Sequence, residues 1–492
     1  MSGPYIVAVD LGSGSTRSVV VDKAGRICGE SRQSVQWTYP FAGWANVDPN
    51  VLVRSVEDTL RTVLAESAID PPTVVALGIT SHRESIIMWD RSTGAPVHDG
   101  IIWISSQTDD IVSQWSRQGL DERIEQSTGL RNDSFFSAGK IAWILENVAG
   151  VRARAERGEL AVGTVDCWIL WNLTGGTVHA TDPSCASRTA LYDIAAMCWD
   201  TELCAMLGIP TSLLPEVRES NAEFGVVRAD LLGHQPPIRA VIADQQAGML
   251  GQGCLASGSA KHTFGTAGVL TANTGSTPSS IPGMTASVGW SISGQTDYEV
   301  EGVVFSSGQT LQWLRETAGL FQNDDNVETL ITSVDSSDGV VIVPAFGGMC
   351  SPHWRRDIRA SISGLSLTTN RAHLARAAVE ASVFQATDIL FAFQKVGLAT
   401  SELKVDGGGA QSDFVCQLFA DLGRVNVVRP RQLERTALGC AFAAGIAVGI
   451  WRDTLDATST WEVDRVFTPE MGEKQRDVLL DQWHTALTRV LQ

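Results

Sequence analysis

One short pattern, consisting of a strand, a turn of small residues and a returning strand, occurs in each half of the 492-residue chain. In the first half, an apolar run ends at Asp10, the turn reads Leu-Gly-Ser-Gly-Ser-Thr, and residues 18–22 form the return strand. In the second half, residues 259–266 end in Gly-Thr and residues 268–274 run back. A chain of this length is too long for one core, so we expect two domains.

Turns of this composition are suited to binding phosphate groups. Glycine and serine let backbone N–H groups approach phosphate oxygens, and the hydroxyls add donors. A third turn, Asp-Gly-Gly-Gly starting at Asp406, ends an apolar strand and leads into a predicted helix at residues 414–422, whose N-terminus favours negative charge. It lacks the spacing of a Rossmann or P-loop motif, and the first turn alone could be a plain polar hairpin. The three turns together predict a nucleotide site.

Carboxylates end two of the predicted strands. Asp10 is placed to hold Mg²⁺ directly or through water. Asp244 follows the apolar run Val-Ile-Ala. A carboxylate near a phosphate-sized turn suggests phosphoryl transfer, which needs an aligned nucleophile, a metal and donors to phosphate oxygens more than covalent chemistry.

A further polar group, Ser-His-Arg-Glu, follows the strand predicted at residues 74–80. That strand is apolar throughout and is therefore expected to be central and parallel. Arg83 and Glu84 offer a donor fork and an acceptor, which suits a polyhydroxylated ligand. The alternative is a local ion pair between the two. His82 is interpreted as a structural neighbour rather than a base.

The composition limits the classes of binding partner and the cellular compartment that we expect for this protein. A net charge of −18 argues against nucleic acid or an anionic membrane as the main partner, but not against an anionic substrate. Nine scattered cysteines without a CxxC pair favour reduced thiols in a cytosolic protein, and no signal peptide is visible. Residues 436–451 are uncharged but shorter than a membrane span, so we expect a buried helix there.

Motifs along nearly the whole chain resemble the FGGY carbohydrate kinases, in the superfamily of actin, hexokinase and the heat-shock chaperone ATPases. Within that family the resemblance is greatest to the glycerol kinases. The matching motifs are residues 5–12, 81–85, 135–147, 163–174, 181–189, 243–247, 312–315, 405–409 and 436–441. The resemblance implies an α/β fold with two ribonuclease-H-like domains, residues 1–246 on the substrate side and 247–492 on the nucleotide side. It also implies ATP and Mg²⁺ in the cleft, and a cytoplasmic homodimer or homotetramer.

The resemblance also implies roles for individual residues. Asp244 takes the position of the general base, accepting the proton of a primary hydroxyl as its oxygen attacks the γ-phosphorus. Asp10 and Asp244 are the implied metal ligands. The implied substrate-binding residues are Arg83, Glu84, Trp103, Phe135, Asp244 and Gln245. The implied nucleotide-binding residues are Ser13, Gly14, Ser15, Arg17, Thr266, Gly308, Gln312, Gly408, Gly409 and Asp413.

The chain departs from the glycerol kinases around the substrate. Phe135 stands where they have a Tyr that bonds the polyol, and Val269 stands where they have a pocket Phe. Trp103 is followed by Ile-Ser instead of Gln-Asp. These changes widen and reshape the pocket, so glycerol is the nearest-family substrate and a tetritol, a pentitol or a ketopentose such as xylulose or ribulose is the alternative. The third hypothesis is a non-catalytic ATP-binding regulator. Asp244 argues against this hypothesis, because a protein that only binds ATP needs no general base.

Overall fold

The computed structural model of the protein describes residues 3–322, 326–398 and 401–492. The strands are β1 (Tyr5–Leu11), β2 (Ser15–Asp22), β3 (Ile27–Ser34), β4 (Asn46–Val47), β5 (Val74–Ser81), β6 (Ile86–Asp90), β7 (Gly100–Ile101), β8 (Leu160–Thr164), β9 (Ala180–Thr181), β10 (Tyr192–Asp193), β11 (Cys198–Trp199), β12 (Glu216–Val217), β13 (Ile238–Ala243), β14 (Ala260–Phe264), β15 (Gly268–Gly275), β16 (Thr285–Ile292), β17 (Gln295–Val304), β18 (Val341–Val343), β19 (Ser361–Ser363), β20 (Glu402–Asp406), β21 (Asn426–Pro430) and β22 (Val463–Phe467). The helices are α1 (Pro49–Glu66), α2 (Asp109–Arg117), α3 (Asp121–Thr128), α4 (Ser137–Asn147), α5 (Val151–Glu156), α6 (Val165–Leu173), α7 (Pro183–Ala186), α8 (Thr201–Met206), α9 (Ala229–Leu232), α10 (Asp244–Gly251), α11 (Gly308–Glu316), α12 (Val327–Thr332), α13 (Arg371–Lys395), α14 (Asp413–Gly423), α15 (Thr436–Ala447), α16 (Thr454–Thr458) and α17 (Glu473–Leu491).

The main sheet of the N-terminal domain has the order β13-β5-β1-β2-β3. The hairpin β1–β2 is antiparallel, and β5 runs parallel to both β1 and β13. This confirms the prediction that the strand after residue 73 is central and parallel. Alternate residues of β1 enter two cores: Val7 and Val9 share a core with α1, whereas Ile6 and Ala8 share one with α15. Both faces are covered, which is why the strand is apolar throughout.

Helix α1 begins at a sequence that favours the start of a helix. The Asp48 side chain accepts a hydrogen bond from the backbone N–H of Asn50 at 2.9 Å, and Pro49 occupies the first turn, where its missing N–H costs nothing. Leu52, Val56, Leu60, Val63 and Leu64 recur at helical spacing and are buried against the sheet. The helix thereby fixes the face of the sheet opposite α15.

The main sheet of the C-terminal domain has the order β16-β17-β15-β14-β20-β21-β22. Its hairpin β14–β15 is antiparallel, and β20 runs parallel to β14 with Thr263 opposite Asp406. The predicted second and third glycine turns therefore leave neighbouring strands at the same edge of the sheet. Strands and helices from the two sheets form a two-domain α/β fold.

Helix α15 belongs late in the chain but packs on the N-terminal sheet and on α10. A Cβ on Gly439 would lie 1.8 Å from the carbonyl oxygen of Ala247, and one on Gly251 would lie 2.0 Å from the carbonyl oxygen of Arg435. The two helices meet backbone to backbone. Nearly all of α15 is buried, which confirms the buried helix predicted there. The predicted domain boundary after residue 246 falls inside α10.

In the described residues, the helices that are long enough to cross a membrane are not apolar enough to do so.

Candidate active site

A cavity of about 290 Å³ is lined by the β1–β2 turn of the N-terminal domain and the β14–β15 turn of the C-terminal domain. Most of the residues that were predicted for the site lie on its wall. These are Asp10, Ser13, Gly14, Ser15, Arg17, Arg83, Glu84, Trp103, Phe135, Asp244, Gln245 and Thr266. Residues separated by up to 256 positions in the chain thus share one small volume, as the repeated turns predicted.

The β1–β2 turn is anchored by side chains from outside it. The indole N–H of Trp103 donates to Ser13 Oγ at 3.0 Å, and Arg32 Nε donates to Ser15 Oγ at 2.9 Å. Gly14 at the tip is exposed. Arg17, on the return strand, lies in ion pairs with Glu30 at 3.2 Å and with Glu434. The turn is therefore fixed at its base, where the Gly12 N–H donates to the Ser15 carbonyl at 2.9 Å, and its tip at Gly14 lies on the cavity wall.

Asp244 stands at the junction of β13 and α10, as the first residue of the helix. Its Oδ1 accepts a hydrogen bond from the backbone N–H of Gln245 at 2.7 Å and lies 3.4 Å from Nε of Arg83. One-fifth of its side chain remains exposed to the cavity side of the molecule. A carboxylate that is oriented by these contacts and is still partly exposed to the cavity is suited to accept a proton from a bound hydroxyl.

Asp10 lies on the cavity wall at the end of β1. Burial, together with the negative charge of Asp244, raises the pKa of Asp10 to about 7 against the opposing effect of Arg17 and Arg32. The two carboxylates thus repel each other. A cation between them would relieve that repulsion, and Mg²⁺ commonly takes one or two protein carboxylates together with phosphate oxygens and water. In the described ranges, His, Cys, Asp and Glu side chains form no group of three or more that would cage a metal by themselves.

Arg83 and Glu84 follow β5 and are both buried, yet both line the cavity. Arg83 Nη1 lies 2.6 Å from Glu301 Oε2, and Arg188 bridges Glu84 at 2.7 Å and Glu301 at 2.8 Å. Burial alone would lower the pKa of Arg83, but the charges of Glu301, Glu84 and Asp244 together raise it well above its ordinary value. The local Arg83–Glu84 pair considered from sequence spans 3.7 Å and is the weaker contact.

Gln245 is held in a similar way from the C-terminal domain. Lys261 Nζ donates to Gln245 Oε1 and to Thr263 Oγ1, both at 2.6 Å, and Thr263 in turn donates to Asp406 at 2.5 Å. Lys261 is fully buried. The amide nitrogen of Gln245 is thereby directed away from Lys261 and left to serve as a donor.

One wall of the cavity is apolar. Trp103, Phe135, Val269 and Val303 line it. The rings of Trp103 and Phe135 meet edge to face with centroids 5.7 Å apart, and Phe135 also contacts Phe305 at 5.7 Å. This wall offers van der Waals contact but no hydroxyl partner, in agreement with the predicted change at Phe135 and Val269.

Some of the predicted nucleotide residues gather around the β14–β15 turn outside the cavity wall. The backbone N–H of Gly308 donates to the Gly265 carbonyl at 3.0 Å, and so the N-terminus of α11 sits on that turn. Gly409 packs on Phe264, where an added Cβ would approach within 2.8 Å. Gly408 lies beside it in the turn after β20, with open space around its α-carbon.

The other two predicted nucleotide-binding residues, Gln312 and Asp413, lie further from the cavity. Gln312 lies one turn into α11 and donates to Glu316 at 2.9 Å. Asp413 begins α14 and is paired with Arg429 at 2.8 Å and Arg465 at 2.5 Å. Both side chains are therefore engaged by surface neighbours, and their predicted contact with a nucleotide stays a prediction.

His82 lines the cavity but faces the backbone. Its Nδ1 lies 3.1 Å from the Leu11 carbonyl oxygen, and burial lowers its pKa. The ring is therefore a neutral spacer between β1 and β5, as its interpretation as a structural neighbour predicts.

Two family models match the chain. The model of the N-terminal domain of the FGGY family of carbohydrate kinases matches residues 5–251, and that of the C-terminal domain matches residues 260–448. The chain belongs to the FGGY family of carbohydrate kinases.

The kinase has close relatives over its full length. It is 42% identical over 492 residues to the glycerol kinase of Dechloromonas aromatica (strain RCB), covering 100% of this chain and 98% of that protein. It is 39% identical to the glycerol kinase of Xanthomonas axonopodis pv. citri (strain 306), covering 99% and 98%. Among solved structures, Plasmodium falciparum glycerol kinase with ADP matches with a TM-score of 0.88 at 29% identity, covering 99% and 98%.

Sequence reasoning missed the charged residues that stand behind the cavity, namely Arg188, Glu299, Glu301 and Lys261. A signal was present: Glu299 and Glu301 alternate with apolar residues on β17, so both side chains point to one face of a buried strand. Buried carboxylates require partners, and their spacing indicates cations on the facing element.

Proposed function

We propose that this kinase transfers the γ-phosphoryl group of ATP to a primary hydroxyl of a small polyol, with glycerol as the first candidate. The observation that carries the proposal is Asp244, a partly exposed carboxylate on the wall of a cavity that also contains Arg83, Glu84 and two phosphate-sized turns. The 42% identity to a glycerol kinase favours glycerol.

In the proposed reaction, Arg83, Glu84 and Gln245 bind the hydroxyls of the substrate and orient one of them toward Asp244. Asp244 accepts its proton while the oxygen attacks the γ-phosphorus. Backbone N–H groups of the turns at Gly14 and Thr266 receive the phosphates. Asp10 and Asp244 are the residues that would hold Mg²⁺, which when bound neutralises phosphate charge.

Replacing Asp244 with Asn tests the proposed base. The amide keeps the shape of the side chain but cannot accept the proton, so we expect kcat to fall about 10²- to 10⁴-fold. Binding of ATP, measured by calorimetry without polyol, should change little. Equal loss of ATP binding and turnover, or unchanged turnover, would contradict the assigned role.

A coupled ADP-release assay over glycerol, erythritol, the pentitols, xylulose and ribulose identifies the substrate. We expect the highest kcat/KM with glycerol. The apolar wall at Phe135 and Val269 supports the alternative, because a longer substrate would bury more carbon there. A tetritol or ketopentose that exceeds glycerol in kcat/KM would replace it as the substrate while leaving the chemistry intact.

A further inference from the structure

The C-terminal sheet presents a buried polar face to the N-terminal domain. Thr285, Glu301, Thr271 and Lys261 lie opposite one another on β16, β17, β15 and β14. Because side chains at paired positions of adjacent strands point to the same side, the four form one row across the sheet. All four are buried. A row with two charges is costly inside a protein unless the facing surface supplies partners.

The facing surface supplies those partners from the substrate side of the cavity. Glu301 receives Arg83 Nη1 on one carboxylate oxygen at 2.6 Å and Arg188 Nη2 on the other at 2.8 Å. Arg188 also donates to Glu84 at 2.7 Å. Arg83 and Glu84 line the cavity, whereas Glu301 and Arg188 do not.

We infer that Glu301 is a positioning residue for the substrate, acting through Arg83 directly and through Arg188 on Glu84; this rests on the proposed function, in which Arg83 and Glu84 bind the polyol. With both oxygens occupied by guanidinium groups, Glu301 fixes the direction of the Arg83 fork. A second Arg83 nitrogen, Nε, lies 3.4 Å from Oδ1 of Asp244. One carboxylate of the C-terminal domain thus fixes the direction of a substrate donor that the N-terminal domain supplies.

Glu299 provides a matched control on the same strand and the same face. It is equally buried but accepts hydrogen bonds from Gln246 at 2.6 Å and Ser287 at 2.9 Å, and lies 3.9 Å from Arg83. Burial, with the charge of Glu301, raises the pKa of Glu299. A glutamine at this position keeps the shape of the side chain and an acceptor for the Gln246 amide.

The test compares E301Q with E299Q, using glycerol as the varied polyol. We expect E301Q to raise the glycerol KM about tenfold or more, with the ATP KM and kcat changed no more than about twofold, because only the alignment of the polyol contacts is lost. E299Q should leave all three parameters within about threefold of the parent enzyme. A purely structural role would move the ATP KM or kcat together with the glycerol KM.

R83A, measured in parallel, separates this inference from the proposed function. A raised glycerol KM in R83A with an unchanged one in E301Q overturns the positioning role, and an unchanged KM in R83A overturns the substrate role of Arg83 itself. Equal rises in E301Q and E299Q also overturn the inference. If E301Q does not fold, R188K replaces it, since lysine keeps the charge but cannot bridge Glu84 and Glu301. A raised glycerol KM then supports the role, and an unchanged one overturns it.

Discussion

His262 shows how much one buried side chain can influence stability. It follows Lys261 on β14, and its ring packs on Phe264 and Phe419 with centroids 4.3 and 5.4 Å away. Neither ring nitrogen finds a hydrogen-bond partner among the residues that the structure describes. Burial, with the positive charge of Lys261, lowers the pKa of His262 to about 3.

We expect H262F to reduce the loss of stability in mild acid. Between pH 6.5 and about 3, the unfolded chain binds a proton at this histidine that the folded chain does not bind, so the free energy of unfolding of the parent falls as the pH falls. From pH 8 to pH 5 the residue should contribute a loss of about 2 kcal/mol. Urea unfolding of both proteins at the two pH values measures the difference. Parallel pH profiles would show that His262 is protonated in the folded state.

At the scale of elements, the contact between α10 and α15 determines where Asp244 lies. Helix α10 begins with Asp244, and its third turn touches α15 through Gly251 and Gly439. Residues with a Cβ at these positions would separate the helices, because the facing atoms are backbone and cannot rotate away.

G439A should therefore reduce both stability and turnover. The added methyl group would meet the Ala247 carbonyl, and we expect a loss of about 3 kcal/mol in the free energy of unfolding. A displaced α10 moves Asp244, so kcat should fall about 10- to 100-fold in the molecules that remain folded. G472A is the matched control, since Gly472 lies at the start of α17 with no atom near its missing Cβ. Parental stability and kcat in G439A would mean that Asp244 does not depend on this contact.

At the scale of the whole molecule, the sequence predicts the individual elements and the meeting of the glycine-rich turns, but not the charge pairs between the two domains. The strands around Asp10 and the buried α15 each follow from a pattern within one segment, and the structure confirms them. The sequence also predicts that the three separated turns come together, because each is a turn of small residues suited to binding phosphate at the end of a strand. The partner of Arg83 was not, because Glu301 lies 218 positions away and their meeting depends on how the two domains pack.

The same physical reason limits the prediction of the substrate. Phe135 and Val269 are identified as pocket residues by resemblance, but the shape they create with Val303 depends on packing between β15, β17 and the segment before α4. The spacing of residues along the sequence does not reveal the shape of this pocket.

The polar row of the C-terminal sheet has a consequence for protein engineering. If Arg83, Glu84 and Gln245 bind the substrate as proposed, we expect that exchanging the N-terminal domain alone will not transfer substrate preference. A chimera whose C-terminal half lacks Glu301 or Lys261 would inherit the proposed substrate-binding side chains without the charged partners that hold Arg83 and Gln245 in place. To transfer specificity, the facing surfaces of the N-terminal and C-terminal domains would therefore have to be exchanged together.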